Sequence, residues 1–220
     1  MTDEKNTCKL CDSSCQLFYQ DKRKYFKCDS CGLIFTNDAP GKVEEEAHYR
    51  SQWEETQPEF WISQADVLLQ IIRNYHEPLQ ILDFGSGSGE LTRELRSRDL
   101  SVTPLEPMEQ GYLKDQQYPG LFDVVVALEV LEHLPQPLEE LLEIDRVLAP
   151  GGIFVCSTAL TNAFLDHASG RDQFAQWWYK DDPTHLCFFG NRTLEALAQR
   201  LDWGLDIYGE KAFVMKKPGE

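Results

Sequence analysis

Ile81-Leu82-Asp83-Phe84-Gly85-Ser86-Gly87-Ser88-Gly89 is the stretch whose reading decides the fold. A buried apolar strand runs straight into a glycine-rich turn, and a helical pattern over 88–98 follows it. Glycine tolerates unusual backbone angles and lets a ligand approach the main chain, so such turns hold cofactors at the carboxyl ends of parallel strands. Working outward, LQILDF (79–84), SVTPLE (101–106), FDVVVALEV (122–130) and IFVCST (153–158) read as strands. Between the last two lie an amphipathic helix, PLEELLEIDRVL (137–148), and a Pro150-Gly151-Gly152 turn. Upstream, Ile62, Ala65, Leu68, Leu69 and Ile72 recur at helical spacing and stop before Pro78. Downstream, NRTLEALAQRL (191–201) predicts a helix, and 206–209 with 211–217 a closing antiparallel hairpin. Strand–helix alternation of this kind predicts an α/β fold, a mostly parallel sheet with helices on both faces.

A dinucleotide-binding turn wants G-x-G-x-x-G, and Glu90 stands where the third glycine belongs. The D-x-G-x-G-x-G pattern instead resembles motif I of the class I S-adenosylmethionine-dependent methyltransferases, whose core is a Rossmann-like sheet. The resemblance continues over most of 79–160. Glu106 ends the second strand seventeen residues after Gly89, Phe122–Val126 matches the fourth strand, Leu128–Leu134 the loop after it, and Leu148-Ala149-Pro150-Gly151-Gly152 the turn before the fifth. The resemblance implies S-adenosylmethionine as cofactor, with Asp83 near the methionine amino group and Gly85, Ser86, Gly87 and Gly89 flanking the cofactor. It further implies Glu106 on both ribose hydroxyls, and Leu128, Glu129 and Val130 beside the reactive end. One departure stands out. Only fifteen residues separate Glu106 from Phe122, too few for the helix and third strand that usually carry the adenine-binding acid. That face is expected to be a loop, with Met108, Tyr112 and Leu113 as wall residues.

Residues 1–40 differ in character. Cys8-x-x-Cys11 and Cys28-x-x-Cys31 form two knuckles sixteen residues apart, a spacing that lets four thiolates surround zinc tetrahedrally. The segment resembles a zinc ribbon; the competing readings are unrelated thiols or a disulfide pair. Cys15 is a fifth thiol that breaks the two-residue spacing, and Cys156 and Cys187 read as small core residues. A closed four-thiolate site leaves no open coordination position, so this zinc is expected to be structural. The expected division is a ribbon at 1–40, an acidic, aromatic linker at 41–60, and the methyltransferase domain at 61–220.

On the acceptor side, Glu129-x-x-Glu132-His133 with His185 resembles the divalent-metal arrangement of Mg-dependent ubiquinone-type and small-RNA 2′-O-methyltransferases. A Mg²⁺ held there would acidify a bound hydroxyl. The same E-H-L stretch occurs in family members without a metal, where Glu132 and His133 cap or orient the loop. Trp177–Phe189 lies where the family builds its substrate lid and offers aromatics with Lys180, Asp181, Asp182 and His185. It reads either as an acceptor wall, with His185 as leading base and His133 as second, or as an aromatic plug with His185 bound to a backbone carbonyl. His167 and Arg171 precede it as weaker substrate-side candidates.

A formal net charge of −16 disfavours nucleic acid as partner, since such binding depends on neutralising phosphates. The basic cluster at 20–27, with Lys22, Arg23, Lys24 and Lys27, is the local exception. No apolar run approaches the roughly 20 residues of a membrane span, and the acidic N-terminus lacks export features, so a soluble, cytoplasmic protein is expected. Methylation of a small-molecule or sugar-like oxygen is the favoured function. The alternatives are a non-catalytic cofactor sensor whose ribbon recruits a protein partner, and an RNA methyltransferase.

Overall fold

The structure, a computed structural model, describes residues 7–54, 57–162 and 169–219. The chain forms two sheets. The larger is built from β4 (Ile81–Phe84), β5 (Val102–Leu105), β6 (Phe122–Leu128), β7 (Leu148–Ser157), β9 (Gly204–Tyr208) and β10 (Ala212–Lys216), in the order β5-β4-β6-β7-β10-β9. β5, β4, β6 and β7 run parallel, and β10 pairs antiparallel with β7 and β9. The α/β expectation and the closing hairpin therefore hold. Residues 107–121 contribute no strand, only a short helix (Pro107–Gln110) and a 3-10 turn (Leu113–Asp115), so the sheet ends at β5 as the chain length required.

Strand periodicity sorts the core. Val124, Val126 and Val155 point toward the helix Pro58–Ile72, which buries Ala65, Leu68, Leu69 and Ile72, and toward Leu91 and Leu95 of the helix Glu90–Arg96. Val125 and Phe154 point the other way, against Leu141 and Ile144 of the helix Pro137–Val147 and Leu194 and Leu197 of the helix Asn191–Leu201. Burying each such side chain stabilises the fold by about 1.5–3 kcal/mol.

The second sheet joins the N-terminus to the rest. β1 (Cys15–Gln20), β2 (Lys24–Cys28) and β3 (Ile34–Thr36) form an antiparallel meander, and β3 pairs with β8 (Cys187–Phe188) from far along the chain. Leu33 and Phe35 lie in the same continuous core as Phe84, Leu134 and Phe189. Residues 41–60, read from sequence as a linker without periodicity, contain the helix Lys42–Glu54 and the first turn of the next. The Lys42–Glu54 helix is rich in good helix formers; Glu44 accepts a hydrogen bond from the Gly41 amide (3.2 Å), and Glu44 and Glu45 oppose the helix dipole. Among the described residues, no helix is long and apolar enough to cross a membrane.

Candidate functional site

The glycine turn is shaped by what surrounds it. Gly85 has φ +76°, and a Cβ there would lie 2.4 Å from Val130 Cγ2, so only glycine fits between β4 and the loop after β6. Gly87 and Gly89 also have positive φ. Glu106, at the end of β5, is 7% exposed; its carboxylate accepts the Gly87 amide at Oε2 (2.9 Å) and the Met108 amide at Oε1 (3.0 Å). An ionised carboxylate offers about four acceptor positions, so two remain for a diol. Burial raises the Glu106 pKa while the two amides oppose the shift. Tyr112 is exposed and Leu113 buried on the shortened segment that follows.

Asp83 is buried beneath the turn and accepts a 2.6 Å hydrogen bond from Thr92 Oγ1. Burial pushes its carboxyl up to about 6, the Thr92 bond opposing and the Glu106 charge adding. Its folded pKa lies above the unfolded value, so the ionised form is the costly one. The ligand-free protein should lose stability as pH rises from about 4 to 6, by up to about 3 kcal/mol. Asp83→Asn is therefore expected to raise the melting temperature of the ligand-free protein at pH 8 and to flatten its dependence between pH 4 and 7. An unchanged melting curve would mean that Asp83 ionises at no cost to the fold.

Opposite the turn, β6 ends at Leu128, and Glu129 adopts φ +53°, a left-handed conformation that costs a non-glycine residue about 1 kcal/mol. Its carboxylate accepts from Ser157 Oγ (3.0 Å) and lies 2.9 Å from the Tyr179 hydroxyl. The same hydroxyl contacts Glu132 Oε1 and lies 3.1 Å from Thr158 Oγ1. A phenol has one hydrogen to donate, so two carboxylates around it require one further proton. Glu132 is fully buried, and burial, with the Glu129 charge adding, raises its pKa well above the ordinary range. Among the described residues, Glu132 Oε2 is buried with no hydrogen-bond partner.

Beside it, His133 Nδ1 lies 3.2 Å from Thr184 O and His185 Nδ1 2.7 Å from Tyr179 O, with the two rings 4.6 Å apart. Carbonyl partners fix Nδ1–H on both rings and leave each Nε2 as the basic atom. Burial lowers both pKa values, His133 to about 3 with His185 adding to the effect. Ligand atoms of Glu132, His133 and His185 lie within 4.8 Å of one another; Glu129, expected among them, is engaged by Ser157 and Tyr179 instead. Tyr49 of the Lys42–Glu54 helix stacks edge-on against His133 at 5.4 Å, and His48 Nε2 pairs with Asp182 at 3.0 Å.

The aromatic segment divides. Tyr179 is buried with Tyr25, Phe174 and Phe188, Trp177 packs against that cluster, and Trp178 is 70% exposed. Arg171 is exposed, and His167 lies outside the described residues. Sequence reasoning missed the role of Tyr179 and the approach of His48, which carry no motif, whereas the contact of Tyr49 with His133 matches an aromatic 41–60 segment docking on the following domain.

In the N-terminal sheet, sulfur atoms of Cys8, Cys11, Cys28 and Cys31 lie within 4.8 Å of one another, with Cys8–Cys31 at 3.4 Å and Cys11–Cys28 at 3.5 Å. Tetrahedral zinc with bonds of about 2.3 Å separates its sulfurs by about 3.8 Å, so the cluster is compatible with that ion. The residue after each knuckle turns left-handed, Asp12 at φ +58° and Gly32 at +78°, and the Leu10 and Cys31 amides point at the Cys8 and Cys28 sulfurs (3.4 Å each).

A mostly parallel sheet with a glycine turn after β4 and a buried acid after β5 is a Rossmann-like arrangement. The sequence pattern of the family described as "Methyltransferase domain" matches residues 46–206, and the chain belongs to that family, among the class I S-adenosylmethionine-dependent methyltransferases. It is 31% identical over 121 residues to the ubiquinone biosynthesis O-methyltransferase of Pseudomonas aeruginosa, covering 44% of this chain and 52% of that protein. The chain thus spans about half the length of the curated relatives it matches. Its fold is similar to that of an S-adenosylmethionine-bound amino pentose methyltransferase from Micromonospora echinaspora (TM-score 0.54, 15% identity, 82% of this chain and 99% of that one). It is also similar to a 1,6-didemethyltoxoflavin N1-methyltransferase from Burkholderia thailandensis (TM-score 0.54, 16% identity, 91% and 98%).

Proposed function

We propose that the protein transfers the methyl group of S-adenosylmethionine to an oxygen of a small-molecule or sugar-like acceptor in a reducing, cytoplasmic setting. The observation that carries this reading is the convergence of Glu129, Glu132, Tyr179, His133 and His185 beside the Gly85–Gly89 turn. The cofactor supplies an electrophilic methyl on a sulfonium. Asp83 would take its amino group, Glu106 its ribose hydroxyls, and the turn together with Leu128, Glu129 and Val130 the space between. Holding the acceptor in line then supplies several kcal/mol of the barrier. His185 Nε2, with Nδ1 fixed by a carbonyl, is the base that takes the acceptor proton, and His133 is the second candidate. The exposed face of Trp178 suits a flat acceptor or the apolar face of a sugar.

Two metals belong to this reading. Zinc at Cys8, Cys11, Cys28 and Cys31 is structural. As the alternative to His185 acting as base, a divalent cation bound by the ionised Glu132 carboxylate and the Nε2 atoms of His133 and His185 would itself acidify the acceptor hydroxyl, and the unpartnered Glu132 Oε2 supports it. Two imidazoles and one carboxylate favour manganese, cobalt or zinc over the all-oxygen preference of magnesium.

Calorimetric titration with S-adenosylmethionine and S-adenosylhomocysteine, with and without manganese or magnesium, tests the reading, followed by a methyl-acceptance screen of phenols, catechols and sugar nucleotides. Micromolar binding and turnover that falls in His185→Ala while cofactor affinity persists are expected. Binding without turnover on any acceptor would favour the cofactor-sensing alternative, and no binding would sink both.

A further inference from the structure

The tip of the β1–β2 hairpin reaches the acceptor side of the site. All five N–H donors of the Arg23 guanidinium are committed: Nε to Tyr25 Oη (3.0 Å), Nη1 to the carbonyls of Pro183 (3.1 Å) and His185 (3.0 Å), and Nη2 to those of Asp182 (2.8 Å) and Lys180. Tyr25 Oη also donates to Lys180 O (3.1 Å), and Lys180, itself 3% exposed, pairs with Asp21 of the same hairpin (3.1 Å). Those carbonyls belong to the segment that delivers the Tyr179 hydroxyl to Glu129 and Glu132, the Tyr179 carbonyl to His185 and the Thr184 carbonyl to His133.

We propose that Arg23 is a positioning residue for the acceptor side of the site, its planar fork fixing the 180–185 main chain so that His133 and His185 keep their Nδ1–H tautomers. The N-terminal sheet is then one wall of the site. Four carbonyls, three of them part-buried, converge on one guanidinium, and removing it leaves all four without their shared donor at once. A lysine presents three donors from a single point and cannot reach all four carbonyls. Arg23 is thereby withdrawn from any external phosphate. The proposal rests on the methyltransferase reading for its purpose, but the geometry it invokes is independent of it.

The experiment follows the imidazole nitrogen signals of His133 and His185 by NMR in the full zinc-loaded chain without added divalent metal, for wild type, Arg23→Ala, Arg23→Lys and the exposed control Lys22→Met. Loss of the Nδ1–H pattern at His185 is expected in Arg23→Ala, with its return on adding ethylguanidinium. S-adenosylhomocysteine affinity should stay within about twofold of wild type, as for distant, independent sites. Lys22→Met should match wild type. Should Arg23→Ala fail to fold, Arg23→Lys carries the test, with the same loss at His185 expected. A wild-type His185 pattern in the folded Arg23 variant overturns the proposal, as does a cofactor affinity loss of about tenfold or more, which would mark a general fold defect. Absence of homocysteine-ligand binding in wild type would instead strike the methyltransferase reading, leaving Arg23 to be judged by the imidazole signals.

Discussion

Glu106→Ala is expected to weaken S-adenosylhomocysteine binding by about 100-fold or more, the largest single-residue effect on the cofactor. Hydrogen bonds to a charged acceptor contribute about 1.5–3 kcal/mol each, and the ribose would lose two. The substitution also strips the Gly87 and Met108 amides of their acceptor, so the turn itself loosens. Glu106→Gln separates the two contributions. It keeps one acceptor oxygen near the original position, removes the charge, and should cost about tenfold. Calorimetry on both variants, with melting temperatures to confirm folding, distinguishes them. Near wild-type affinity in Glu106→Ala would mean the ribose lies elsewhere, along the shortened 107–121 segment.

The part of this site legible in the sequence is the part built from neighbours in the chain. Asp83 to Gly89 is one strand end and one turn, and Glu106 follows one crossover later, so a local motif carries the family resemblance that groups them. The long apolar run of β6 read correctly, whereas the expected Pro150-Gly151-Gly152 turn lies inside β7, where Gly151 takes φ +76° and the pairing with β6 shifts register between Phe122 and Val124. The acceptor side is assembled from long-range contacts, and periodicity carries no information about those. Tyr179 meets Glu132 across 47 positions, and Arg23 meets Lys180 across 157. Trp177 to Phe189 announced an aromatic segment, yet its residues divide between core and surface according to a sheet supplied by the N-terminus. The pairing of β3 with a two-residue strand at Cys187–Phe188 had no signal either, because so short a strand is set by its partner. The helix at 42–54 was obscured for another reason: it buries little, so its propensity and charges, rather than an apolar stripe, make it helical.

With zinc held by Cys8, Cys11, Cys28 and Cys31 as proposed, its removal should have the largest effect on stability and bears on how the chain is divided. Structural zinc in small thiolate sites contributes an apparent 10–16 kcal/mol, comparable to the whole stability of a domain at about 5–15 kcal/mol. Chelation, or Cys31→Ser, is expected to melt β1–β3. Leu33 and Phe35 share a core with Phe189, β3 is the partner of β8, and Arg23 grips the 180–185 main chain. Loss of the ribbon should therefore propagate to residues 178–188. β4, β6 and β7 should stay folded around their own helices, with homocysteine-ligand binding largely retained. Hydrogen exchange resolved by peptide, with and without chelator, reads this directly. Exposure of 7–36 together with 178–188, and protection of 81–84 and 122–128, is the expected pattern. Protection of 178–188 in the melted state would make the first 40 residues a separable appendage, and simultaneous exposure of the parallel strands would make the chain one cooperative unit. Since the acceptor-side histidines take their orientation from the 178–188 segment, the expected pattern also predicts a zinc-free protein that binds its cofactor and turns over nothing.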